Sequence, residues 1–213
     1  MKQVQPDVWE TEAESPFPGL TTHAYLVELP DANVLFYNTG HAHEINEMFK
    51  YGGVDYHLLS HRDEVGPSLR DIRQLYGAKL GGHINEGREF AEIQRPDIYF
   101  DERGTLIEHI EAIPTPGHSP GSTCFMVQSS TDKRYLFTGD TLYRNGDGNW
   151  RAGVIPGETS KSEQKELAKS LQLLRSLEPD VVFCSAFSGE QGYQEVTKDK
   201  WVRIVDHALT ELS

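Results

Sequence analysis

The chain has 213 residues, no low-complexity linker divides it, and a single domain over residues 1–213 is expected. With 33 Asp and Glu against 20 Lys and Arg, the formal net charge is −13, which argues against a basic footprint for nucleic acid or an anionic membrane. Two cysteines, Cys124 and Cys184, make no disulfide framework; the first residues carry no apolar signal region and no apolar run approaches a membrane span, so a cytoplasmic setting is the simplest expectation.

Residues 23–29 and 34–37 are strand-like, separated by the turn Pro30-Asp31-Ala32-Asn33, and read as a hairpin ending at Asn38-Thr39-Gly40. Residues 43–50 have Ile45, Met48 and Phe49 at helical spacing before Gly52-Gly53. Tyr56-His57-Leu58-Leu59 is a buried-strand candidate running into Ser60-His61-Arg62-Asp63-Glu64. Residues 68–76 predict a helix with Leu69, Ile72 and Leu75 on one face, closed by Gly77. Residues 106–113 alternate as one strand, and 123–127 and 135–137 are two more, joined by a polar hairpin connection. In the last quarter Ser160-Lys161-Ser162-Glu163 has the form of a capping box ahead of Leu167, Leu171, Leu174 and Leu177. Residues 181–184 read as a strand, and Trp201, Ile204, Val205, Ala208, Leu209 and Leu212 mark a final amphipathic helix. This order predicts sheets covered by helices on their outer faces.

Two segments carry chemistry. Thr115-Pro116-Gly117-His118-Ser119-Pro120-Gly121-Ser122 sets a histidine in a turn stiffened by proline and glycine, just before a strand. Leu136-Phe137-Thr138-Gly139-Asp140 places an aspartate at the tip of the next. Metal-ligand residue types on loops at strand ends can hold a cation with one side open to substrate. Gly117-His118-Ser119-Pro120-Gly121 also matches the G-x-S-x-G form of a serine-esterase elbow. That elbow needs the backbone N–H of the residue after the serine, here Pro120, and a following helix where this chain has a strand.

These motifs resemble those of the metallo-β-lactamase fold superfamily, especially its glyoxalase-II-like branch. The family's TPGHTxGS signature corresponds to residues 115–122, FxGDxL to 137–142, and the strand ending in DTG to Tyr37-Asn38-Thr39-Gly40. The resemblance covers roughly residues 21–189 and implies an αββα sandwich, an α/β fold with the metal at one edge of its two sheets. The family's H-x-H-x-D-H loop falls on residues 59–64: aligned on Asp63-Glu64-Val65-Gly66, its first histidine is Leu59, its second His61, and its last Glu64. A shifted alignment puts His61 first, with a local deletion. The late histidine motif should lie near Cys184-Ser185-Ala186-Phe187, which has none.

The resemblance therefore leaves His61, Asp63, Glu64, His118 and Asp140 as candidate ligands of one divalent ion. Two imidazoles and up to three carboxylates form a harder donor set than a histidine-rich zinc site, so Fe or Mn competes with Zn. Asp63 is also the candidate to orient an attacking water. The implied function is hydrolysis of an ester, thioester or related small-molecule bond. The alternatives are a vestigial, non-catalytic member of the fold acting as a binding protein, and an iron-binding redox variant. Among nearby residues, His41, His43, His83 and Cys184 are weighed as replacement ligands or contacts against structural roles, and the loop 143–151 as a pocket wall against an ordinary surface loop.

Overall fold

The central strands are apolar at successive positions because each sheet is covered on both faces. In the computed structural model, which describes residues 1–189 and 191–212, the strand Tyr25–Glu28 turns Tyr25 and Val27 toward a facing sheet and Leu26 toward helices. The strand Thr123–Gln128 does the same, with Phe125 and Val127 inward and Cys124 and Met126 outward.

The first sheet has seven strands, in the order Lys2–Gln5, Val8–Glu10, Tyr25–Glu28, Asn33–Phe36, Tyr56–Leu58, Lys79–His83 and Ile98–Phe100. Its last four strands run parallel. The second has six: Gly104–Ile107, Ile110–Pro114, Thr123–Gln128, Arg134–Gly139, Val181–Cys184 and Tyr193–Glu195. Between them Phe36 stacks on Phe137 at 4.0 Å, and Phe137 on Phe183 at 4.7 Å. A third, five-stranded sheet joins Trp150–Ala152, Leu142–Arg144, Ala186–Phe187, Leu20–Thr22 and Glu14–Phe17.

Helices α1 (Ala42–Glu47), α2 (Ser68–Tyr76) and α3 (Gly87–Ile93) cover the outer face of the first sheet through Ile45, Leu69, Ile72 and Phe90. Helices α4 (Lys161–Arg175) and α5 (Lys198–Thr210) cover the second through Leu167, Leu171, Leu174, Trp201 and Val205. The layers are therefore αββα, as the resemblance implies. The capping box of α4 is present: Ser160 Oγ accepts from Glu163 N at 3.2 Å, and the Glu163 carboxylate accepts from Ser160 N at 2.7 Å.

Three local expectations are corrected. Residues 106–113 form not one strand but the ends of two, because Glu108 and His109 make a tight turn with His109 at φ +71°. The apolar alternation carries on across that turn and hides it. The helix expected over 43–50 ends at Glu47 and tightens into a 3-10 turn, Met48–Tyr51, which leaves Phe49 69% exposed. In α2, Leu69 and Ile72 are buried while Leu75 is 42% exposed, so the packed face is narrower than its spacing suggests.

Candidate metal centre

The strand Tyr56–Leu58 delivers Ser60 and then His61, which is in extended backbone (φ −165°) ahead of the 3-10 turn Arg62–Glu64. Glu64 folds back over its own turn and accepts from Ser60 N at 2.8 Å and from the Ser60 hydroxyl. With that hydroxyl proton committed to Glu64, the Ser60 oxygen is free to accept from His61 Nδ1 at 2.9 Å, and Glu64 Oε1 is itself 3.2 Å from Nδ1. The Nδ1 proton is thus held from behind, and Nε2 is the ring atom presented forward.

His118 is treated the same way from the second sheet. Its Nδ1 donates to the Gly153 carbonyl at 2.9 Å, which again leaves Nε2 forward. Its loop rests on α4: a Cβ at Gly117 (φ +132°) would stand 2.4 Å from Leu167 N. Asp140 follows Gly139, which adopts φ +53° directly against Ser60; Oδ1 accepts from Ala186 N at 3.0 Å, so Oδ2 is the oxygen turned toward the histidines.

These atoms converge. His61 Nε2 is 3.4 Å from Asp140 Oδ2 and 3.7 Å from Asp63 Oδ2. His118 Nε2 is 3.7 Å from Asp140 Oδ2 and 3.6 Å from Asp63 Oδ2. His61, Asp63 and His118 each offer a ligand atom within 4.8 Å of the other two, and Asp140 Oδ2 stands against both histidines. Both Nε2 atoms are buried without a hydrogen-bond partner, an arrangement that calls for a cation or a proton. The residues present fit a divalent metal.

The electrostatics agree. Burial alone raises the Asp140 carboxyl, but His61, His118 and the Ala186 N–H outweigh it and hold its pKa at about 2. Burial depresses His61, yet Asp140 and Glu64 outweigh burial and keep its pKa well above the ordinary histidine value. The neighbouring His118 draws Asp63 below the usual carboxylate range, over the opposing effect of desolvation. Without a cation, a proton on His61 occupies the position the cation would take, so the two compete. Asp63 is the most exposed of the four, at 58% of its side chain.

Glu64 does not join the converging set. It lies behind His61, against Nδ1 and the Ser60 hydroxyl, on the far side of the ring from Asp140. Leu59, the first motif position under the ungapped alignment, packs outward with Leu69, Leu80 and Phe90, because strand alternation turns it away from the facing sheet. His43 pairs with Glu12 at 3.1 Å, His41 approaches the Ala13 carbonyl, and His83 Nδ1 accepts from Asn85 N, so none replaces a lost ligand. Cys184 donates to the Gly192 carbonyl, and burial pushes its thiol up to about 12. Ser119 is buried and its hydroxyl donates to Glu86 Oε1 at 2.6 Å, facing no histidine base. Residues 142–144 and 150–152 pair as a hairpin with Trp150 in the core, and Tyr143, Asn145 and Arg151 line a cleft of about 350 Å³.

Three supporting residues escaped the sequence reading. Gly153 has no room for a side chain, since a Cβ there would stand 1.7 Å from the Asp140 carbonyl. Tyr37 takes φ +65° and sends its hydroxyl across the sandwich, accepting from Gly139 N and donating to the Phe183 carbonyl, both at 2.9 Å. Ser60 is the third. Tyr37 and Ser60 signal themselves only by lying beside a motif, and Gly153 not at all; the Tyr37 role depends on partners more than 100 residues away and the Gly153 role on a histidine 35 residues away.

A family model described as the metallo-beta-lactamase superfamily matches residues 36–186. The chain belongs to the metallo-β-lactamase superfamily. It is 26% identical over 164 residues to a probable metallo-hydrolase, YqgX, of Bacillus subtilis, covering 67% of this chain and 75% of that protein. It is 32% identical over 109 residues to a hydroxyacylglutathione hydrolase of Anaeromyxobacter dehalogenans, covering 50% of this chain and 39% of that one. The chain thus spans about two-fifths of that longer relative. Among solved structures, a metallo-beta-lactamase from Pontibacter korlensis superposes with a TM-score of 0.72 at 16% identity, covering 99% of this chain and 97% of that one. At such identity the superposition speaks for the superfamily fold alone.

Proposed function

We propose that this superfamily member is a metal-dependent hydrolase holding one divalent ion among His61, Asp63, His118 and Asp140. Its substrate is a small molecule with an ester, thioester or related bond. The single observation that carries this reading is that two buried Nε2 atoms without a hydrogen-bond partner each stand 3.4–3.7 Å from an oxygen of Asp63 and an oxygen of Asp140. The names of the Bacillus and Anaeromyxobacter relatives point the same way.

A divalent ion bound there supplies Lewis acidity toward a carbonyl and a lowered pKa for water. The chain's residues do the rest. Glu64 and Ser60 hold His61, and Gly153 holds His118, so neither ring has to reorient on binding. Asp140 is fixed by Ala186 N. Asp63, the exposed member, faces the solvent side, where its carboxylate would orient an incoming water. Two carboxylates offset both charges of a divalent ion, so Fe and Mn compete with Zn.

The test is metal analysis of protein purified without chelator, followed by an ester and thioester hydrolysis screen of wild type and His118→Ala. Near-stoichiometric metal and activity lost in the variant are expected. Absence of metal uptake would sink the reading and leave the vestigial, non-catalytic alternative, which the outward packing of Leu59 and the lack of a histidine at residues 184–187 favour. Iron alone, without hydrolysis, would favour the redox variant.

A further inference from the structure

Glu86 is a buried carboxylate that none of the chemistry above employs. It ends the 3-10 turn Ile84–Glu86, directly after the strand Lys79–His83 of the first sheet, and is 1% exposed. Its Oε1 accepts from Gly121 N and from the Ser119 hydroxyl, both at 2.6 Å. Both donors belong to the loop that carries His118. The approach is so close that a Cβ on Gly121 would stand 2.4 Å from Glu86 Cγ. Asn85, next to it, donates to the Pro120 carbonyl at 3.4 Å. The other oxygen, Oε2, is buried without a hydrogen-bond donor and stands 3.9 Å from Nε of Arg62, the residue between His61 and Asp63.

One carboxylate therefore touches the loop of one histidine and faces the turn of the other. Those loops come from different sheets, and hydrogen bonds to a buried charge are stronger than neutral ones. His118 has a tie on its other side as well, from Ser170 Oγ to the Pro116 carbonyl at 2.8 Å. That bond anchors the loop to α4 within the second sheet's own layer; Glu86 anchors it to the first sheet, where His61 and Asp63 reside.

We propose that Glu86 is a positioning residue that sets the spacing between His118 and the His61–Asp63 turn, and through it the affinity of the site for a divalent ion. The inference rests on the cation site proposed above. It predicts that Glu86 variants change how the donors converge while leaving the donors themselves intact.

The experiment uses the full chain, stripped of metal and titrated with Co(II) against a chromophoric chelator, with the visible spectrum of bound Co(II) recorded. Glu86→Gln keeps the shape of the side chain and removes its charge. It is expected to weaken Co(II) binding by about tenfold or more and to shift the Co(II) bands. Ile72→Ala, on the buried face of α2, controls for general destabilisation and is expected to leave both unchanged. Unchanged affinity and spectrum in Glu86→Gln overturn the inference. Should that variant fail to fold, Ser119→Ala removes one donor of the same link, and unchanged binding there overturns it equally. If wild type takes up no metal, the cation reading fails on its own account, and the His118 ring resonances decide instead. Glu86→Gln must then shift or broaden them for the positioning role to stand, and identical His118 resonances would refute it.

Discussion

The Glu64 carboxylate lies 3.2 Å from Nδ1 of His61, on the opposite side of the ring from Asp140, whose Oδ2 lies 3.4 Å from Nε2. Glu64 backs the imidazole because the 3-10 turn curls it over Ser60 and away from the side of the ring that Asp140 faces. Carboxylates placed behind a ligating imidazole fix its tautomer and raise its basicity. Glu64→Gln should therefore weaken metal binding by about 10–100-fold without abolishing it. Chelator competition reads this directly, and an undiminished affinity would return Glu64 to a merely structural role.

Replacing Leu59 with histidine is the substitution that an alignment suggests for restoring a lost ligand. The structure predicts that it fails. Leu59 is 1% exposed and packs with Leu69, Leu80 and Phe90 on the helix side of the sheet. An imidazole there has no partner and sacrifices apolar packing, a loss of about 2–5 kcal/mol. Denaturant unfolding should show the destabilisation, and metal titration should show unchanged stoichiometry.

Gly153→Ala should disable the centre from its edge. The new methyl group would overlap the Asp140 carbonyl and sit 3.3 Å from His118 Nδ1, so two donors are displaced at once. Overpacking of this kind costs about 1–3 kcal/mol in the core. Metal affinity should fall more than stability does, which parallel titration and thermal unfolding would reveal.

His57 gives the fold an acid limb. It is fully buried, its Nε2 donates to the Tyr37 carbonyl at 2.6 Å, and burial presses its pKa down to about 4. The unfolded chain binds this proton near the ordinary value of about 6.5, so it carries more protons than the native state between the two. Stability is then full above about 6.5 and drains away as the pH falls toward 4, by roughly 3 kcal/mol. Burial lowers His23 and His83 in the same sense, whereas His61 works in the opposite one. The effect is accordingly read as a difference: His57→Gln should show a shallower loss of stability than wild type between pH 6.5 and 4.5, and equal slopes would rule the contribution out.

Much of the sandwich was legible in the chain. Runs such as residues 123–127 and 181–184 are apolar on both alternating faces, and that alone demands a covering layer on each side. The capping box at residues 160–163 and the glycines at 52 and 77 marked helix ends because their signals are local, lying within four residues of what they terminate. The turn at His109 was not legible, since strand alternation continued across it. Phe49 shares helical spacing with Ile45 and Met48 yet is exposed, because spacing cannot tell an α-helical turn from the 3-10 turn that follows it.

For the centre, residue identities alone name the side chains that could donate: two imidazoles and three carboxylates in loops at strand ends. They could not determine which of those five meet. Convergence depends on loops from two sheets, brought within 4 Å by the shared aromatic core and by Tyr37, Glu86 and Gly153 spanning between elements. Donor chemistry is a property of single residues, but a coordination point belongs to distances between residues about 80 positions apart, and only tertiary packing sets those.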